Sequence, residues 1–163
     1  MDKKKLIFSY VVQILAFASI AILFVPILKA KDHSMSILEL IINTGKWVYM
    51  EEYLFGIAGL IIIICSPMLL ITTELCKLSA CGVIKCKKLD TALYIINIVL
   101  TGLLVCTIVN YFLGLGRTMG MSGLVLFKGR TNFVYATAYF YLHVVFSVAM
   151  LVFAILNKQN KKA

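Results

Sequence analysis

Metal ligation and nucleophilic chemistry need cysteines, histidines or carboxylates at close spacing, and few stretches of this chain supply it. Cys76, Cys81 and Cys86 recur every five residues, with Glu74 and Asp90 on either side. A structural zinc site takes four ligands, commonly with closely spaced cysteine pairs, and neither a fourth cysteine nor a histidine is at hand here. These three are therefore weak metal candidates, and no cofactor is expected. If the host is eukaryotic, thiols so close to a membrane are also substrates for acylation. Cys65 and Cys106 fall inside apolar runs, where a small buried thiol is ordinary. His33 adjoins Asp32 and reads as half of a solvated pair. The chain has no nucleophile-elbow serine, no HExxH and no histidine pair near carboxylates, so an enzyme is not expected.

A second set of chemically capable groups lies within apolar stretches: Ser9, Gln13 and Ser19, then Asn97, Thr101, Thr107 and Asn110, then His143 and Ser147. Polar side chains are expensive in lipid and are expected to face a bundle interior. Gln13, Asn97, Thr101, Asn110 and His143 form the candidate intramembrane polar cluster. Counted from the span ends, His143 and Thr101 fall near mid-depth, with Gln13 and Asn97 at a common depth nearer the cytoplasm. As chemistry, such a cluster is a polar path with His143 as its only titratable group. As structure, it is interhelical hydrogen bonding worth about 0.6 kcal/mol per bond. No Asp, Glu, Lys or Arg lies well inside a span, which argues against an ion-coupled pump.

The elements that must position these residues are four apolar runs. The central one, Leu54 to Thr73, carries no ionisable side chain, and about 20 helical residues cover the roughly 30 Å hydrocarbon core of a bilayer. Runs over about residues 6–28, 54–73, 92–113 and 133–156 predict an all-α integral membrane fold. It is a four-helix transmembrane bundle forming a single domain over residues 1–163, with a short interfacial helix in the first extracytoplasmic loop. That short helix is read from Ser36 and Glu39, at capping-box spacing, ahead of Ile37, Leu38, Leu40, Ile41 and Ile42. Trp47, Tyr49 and Tyr53 fit an aromatic belt leading into the second span. Pro26 is placed in the last turn of the first span, Ser66-Pro67 at a kink of the second, and Glu74 at that span's end. The first run is too long for the apolar core of a signal peptide and lacks a small-residue cleavage site, so it is read as retained.

Composition agrees with this architecture. The chain is 62% hydrophobic and 14% charged, with mean hydropathy +0.99, where soluble proteins carry roughly a quarter charged residues. The formal charge of +9 comes from lysines and arginines flanking apolar runs, so its partner is the lipid headgroup layer and no nucleic acid is expected. Ten of these cations fall in the leader, the Glu74–Asp90 segment and the tail, against six in the other two connections. That bias places both termini on the cytoplasmic side, and a bacterial cytoplasmic membrane is the expected location. Met35-Ser36-Ile37-Leu38-Glu39-Leu40 resembles Met121-Ser122-Gly123-Leu124-Val125-Leu126 at an offset of 86 residues, which would follow from duplication of a two-span hairpin.

The residues that define known four-span families are missing. The outer connections lack the cysteine pairs of quinone-linked disulfide-forming enzymes. Trp47 stands without the two cysteines of claudin-like proteins, and Glu74 without the adjacent arginine of glutathione-utilising membrane enzymes. With no catalytic set and no soluble domain, the expected function is that of a non-enzymatic accessory, regulatory or immunity-type subunit. It would bind another membrane protein or self-associate as a homo-oligomer. A small oligomeric channel or transporter, its path lined by spans one, three and four, is the alternative. On the outer face Arg117, Lys128 and Arg130, with no acidic residue between them, are the candidate basic contact.

Overall fold

A computed structural model of the chain describes residues 3–30, 33–42, 50–84, 86–119 and 134–159. In order along the chain these form α1 (Lys3–Ile22), β1 (Pro26–Ala30), β2 (His33–Ser36), α2 (Ile37–Ile42), α3 (Met50–Ala80), α4 (Lys87–Met119), β3 (Val134–Ala136) and α5 (Ala138–Gln159). The structure is mostly helical, and α1, α3, α4 and α5 are each long and apolar enough to cross a membrane.

The long helices pack in the cyclic order α1, α3, α4, α5, with α5 closing back onto α1. Each turns inward a stripe spaced by threes and fours. On α1 it is Ser9, Val12, Ala16 and Ser19; on α3, Ala58, Ile62, Cys65 and Leu69. On α4 it is Asn97, Thr101, Leu104, Ile108 and Tyr111; on α5, Phe140, His143, Ser147, Met150, Ala154 and Asn157. That spacing belongs to helices crossing at about +20° with interlocking side chains. Compared with a soluble bundle the polarity is reversed: the inward stripe is rich in small and polar residues, whereas Ile14, Phe17, Ile64, Val99 and Val145 point outward. In lipid, burial of apolar surface drives no association, so helices are held by close approach of small residues and by hydrogen bonds.

The end of the bundle opposite the start of α1 and the end of α5 carries structure that the apolar runs do not announce. β1 lies between β2 and β3 in a three-stranded antiparallel sheet. Leu28 pairs with Met35 on one side and with Ala136 on the other, so the two connections at this end are joined. Three features of the predicted spans are corrected here. The first helix stops at Ile22 and does not reach Leu28. Leu23, Phe24 and Val25 close tight turns onto Ile20, Ala21 and Ile22, and Pro26 opens a strand. A proline disfavours helix at the residue before it and fits the first position of a strand beside a bulge, where β1 places it. The fourth long helix begins at Ala138, because Val134–Ala136 pair with β1. At its start Thr137 donates from its amide to Ile27 O (2.9 Å) and from Oγ1 to Pro26 O (2.7 Å). The second long helix passes Glu74 and runs to Ala80.

The short helix read from the capping box is α2. Glu39 Oε2 accepts from the Ser36 amide at 2.7 Å, and Ser36 Oγ accepts from the Glu39 amide at 3.2 Å. It is clamped to the bundle: the Leu38 amide donates to Leu23 O (3.1 Å), Ile37 is fully buried, and its methyls and those of Ile41 lie directly over Gly59 of α3. Pro67 sits within α3, and Ser66 Oγ has no hydrogen-bond partner, so that hydroxyl does not take up the carbonyl the proline frees. Trp47, Tyr49 and the repeat segment 121–126 lie outside the described residues.

At the lysine-rich end α3 turns into α4 through Gly82, at φ 81°. The Val83 amide donates to Leu78 O and the Gly82 amide to Ser79 O, each at 3.0 Å, the paired bonds of a Schellman cap. A β-carbon added at Gly82 meets nothing within 4 Å, so the cost of a side chain there is purely conformational. Gly82→Ala is expected to destabilise the bundle by about 1 kcal/mol, with Gly82→Asn recovering part of the loss, read from unfolding midpoints in mixed detergent micelles.

Candidate functional site

Several polar side chains of the long helices meet in separate contacts, each between two neighbouring helices. The first joins α1 to α3 on the bundle perimeter. Glu74 and Lys77, one turn apart, form an ion pair at 2.6 Å. Gln13 bridges them, donating from Nε2 to Glu74 Oε1 at 2.5 Å and accepting from Lys77 Nζ at 2.7 Å. Lys77 Nζ also lies 4.3 Å from the centre of the Tyr10 ring, a cation–π distance. The lysine is almost wholly covered, its side chain 10% exposed, whereas the carboxylate it holds is 54% exposed. The pair borders an open groove between α1 and α3.

The second contact joins α3 to α4. Asn97 Nδ2 donates to Cys76 Sγ at 3.2 Å, and Thr72 Oγ1 donates to Asn97 Oδ1. All three are buried, which satisfies both ends of the amide within the interface. The third joins α4 to α5. Thr107 Oγ1 donates to Leu104 O at 2.6 Å and lies 2.9 Å from His143 Nε2. Which of the two groups donates across this contact is set by the imidazole tautomer. His143 Nδ1 is buried without a hydrogen-bond partner, beside the Tyr111 ring at 6.2 Å between centroids. Closer to the termini Asn157 Nδ2 donates to Ser9 Oγ at 3.1 Å, tying α5 to α1.

The five residues grouped from the sequence are thus divided. Gln13 belongs to the Glu74–Lys77 pair, Asn97 to Thr72 and Cys76, and His143 to Thr107. Thr101 bonds back to Asn97 O at 2.8 Å within its own helix, and Asn110 is half-buried on α4. Gln13 and Asn97 share a depth without touching, because they lie on helices that are diagonal in the ring.

The three weak metal candidates lie apart: Cys76 is buried between helices, while Cys81 and Cys86 are exposed in the turn that follows α3. Among the described residues no group of three or more His, Cys, Asp or Glu side chains is placed to hold a metal ion. Asp90, weighed as a further ligand, accepts from Ser79 Oγ in the first turn of α4. Arg117 is in the last turn of α4, and Lys128 and Arg130 lie outside the described residues.

Sequence reasoning misses the Glu74–Lys77 pair because it places Glu74 at the end of its helix. An acidic residue three positions before a lysine is a helix-surface spacing, and the sequence carries that signal. The structure extends the helix and gives the pair a partner on α1. No family model, curated protein or solved structure matches this chain.

Proposed function

We infer that this chain is an integral membrane protein that works without catalysis, as an accessory or regulatory subunit binding another membrane protein. The observation that carries the reading is Glu74. Ionisable groups on membrane-crossing helices are costly and nearly always face protein, yet this carboxylate is more than half exposed on the outer perimeter of α3. A second protein chain against that surface would cover it. The sheet joining the two outer connections and the clamped α2 give the bundle one stiff end, a support suited to presenting a fixed face. The channel alternative asks for one continuous polar path, and the polar groups instead lie at separate helix interfaces. The start of α1, the end of α5 and the turn between α3 and α4 share one end of the bundle, and the lysines of these helix ends favour the cytoplasmic side of a bacterial membrane.

The test is the mass and composition of the tagged protein extracted in mild detergent, by light scattering and protein mass spectrometry. A second membrane protein at fixed stoichiometry is the expected result. A monomer, or an assembly of this chain alone, would remove the reading.

A further inference from the structure

The groove between α1 and α3 has a volume of about 550 Å³ and is lined by Gln13, Ile14, Phe17, Leu70, Ile71 and Glu74. Its walls are apolar except at the end where Gln13 and Glu74 meet. The Glu74 carboxylate is asymmetrically used: Oε1 takes both hydrogen bonds, from Gln13 and from Lys77, and Oε2 takes none from the described residues. Because Lys77 is turned inward against Tyr10 and Gln13, the groove presents an anion although the pair is neutral.

Resting on the subunit reading above, we propose that this groove seats a transmembrane helix of a different protein carrying a lysine or arginine opposite Glu74. Charge is the first argument: an apolar trough with one half-satisfied carboxylate is complementary to an apolar helix with one cation, and pairing would supply the bonds Oε2 lacks. Depth is the second. Gln13 lies eight residues beyond Lys5, and the residues flanking Glu74 meet Asn97, seven residues beyond Asp90. At about 1.5 Å per residue the carboxylate is on the order of 10 Å inside the ring of terminal lysines. A phospholipid ammonium resides out among those lysines, whereas a helix-borne cation reaches the deeper level. The third argument excludes a second copy. The other lysines on the described long helices, Lys3, Lys4, Lys5, Lys87, Lys88 and Lys158, all belong to the helix ends, so among the described residues an identical chain alongside in the same orientation offers no further lysine at the depth of Glu74.

The test uses the full chain in phosphatidylcholine bilayers with synthetic transmembrane helices of leucine and alanine as probes. Three probes carry Lys, Leu or Glu about 10 Å from one end, with a photoreactive side chain one turn away, and association is read by energy transfer. The Lys probe is expected to bind about tenfold more tightly than the Leu probe and to crosslink to Phe17 or Ile71. Its advantage should disappear in Glu74→Gln. It should also fall in Ile14→Trp, which fills the groove and leaves the ion pair in place. Equal binding of the three probes, an advantage that survives both substitutions, or crosslinks outside α1 and α3 would overturn the proposal. So would preferential crosslinking of the groove to photoreactive phosphatidylethanolamine. Partner capture from native membranes separates the two readings. A partner retained undiminished by Glu74→Gln leaves the subunit role standing and removes the groove from it, whereas no partner at all removes both.

Discussion

Replacing Gly59 with leucine is expected to release α2 from the bundle. A β-carbon at this position comes to 2.6 Å from Ile37 Cγ2 and 2.7 Å from Ile41 Cδ1, distances at which the α2–α3 contact must open. Ile37 is fully buried and has no free side to move into, and the rest of a leucine side chain would occupy the space of both isoleucines. Overpacking of this kind costs about 1–3 kcal/mol, and a six-residue helix has no independent stability with which to resist it. Hydrogen exchange in micelles is the direct measurement. Amides of residues 37–42 should lose protection by roughly a hundredfold, equivalent to about 3 kcal/mol of local opening, while those of α4 and α5 keep theirs. Gly102→Leu provides the control: a β-carbon there meets nothing within 4 Å, so its exchange pattern should match the wild type. Unchanged protection of α2 in the Gly59 variant would show that Gly59 does not set the docking distance.

Phe140→Ala should produce the largest loss of global stability among single truncations near the sheet end. The ring is fully buried and meets Tyr111 edge-on at 5.6 Å between centroids, with an interplanar angle of 83°. It sits three residues after Thr137, whose two bonds to β1 anchor the start of α5. Phenylalanine-to-alanine changes in a packed core cost about 3–5 kcal/mol. In a bilayer the unfolded reference is itself apolar, so the transfer contribution shrinks and lost packing dominates, which places the expectation near the low end at about 3 kcal/mol. Unfolding in mixed micelles measures it, with Tyr141→Ala alongside. Tyr141 is 58% exposed, and its truncation should change stability by less than about 0.5 kcal/mol. Equal effects from the two would contradict the packing described for α5.

Both expectations depend on the same contrast between what chain patterning reveals and what it hides. The four long apolar helices were legible because length and hydropathy are summed along the chain, and nothing else in a 20-residue apolar run competes with helix formation. The capping box at Ser36 and Glu39 was legible for a related reason, since both of its hydrogen bonds close within one turn. The inward direction of Ser9, Ser19, Thr107, His143 and Ser147 also followed from residue type, because a polar group in an apolar run has few other places to go.

Tertiary structure alone decided the partners. Gln13 and Asn97 have equal depth and similar chemistry, yet the ring order of the helices sends one to Glu74 and Lys77 and the other to Thr72 and Cys76, contacts that span 61 and 21 residues or more of sequence. The sheet was hidden because β1 and β3 are more than a hundred residues apart, and each is a short apolar segment that reads as the continuation of a helix. Glu74 shows the same limit at one residue. Its identity set the charge, but whether that charge would end a helix, pair inside the bundle or face outward depended on the length of α3 and on α1 lying beside it. Patterns within a single element follow from local sterics and hydrogen bonding, and the sequence carries them directly. The choice among equally apolar helix faces is made by shape complementarity between elements distant in the chain, which exists only once they are packed together.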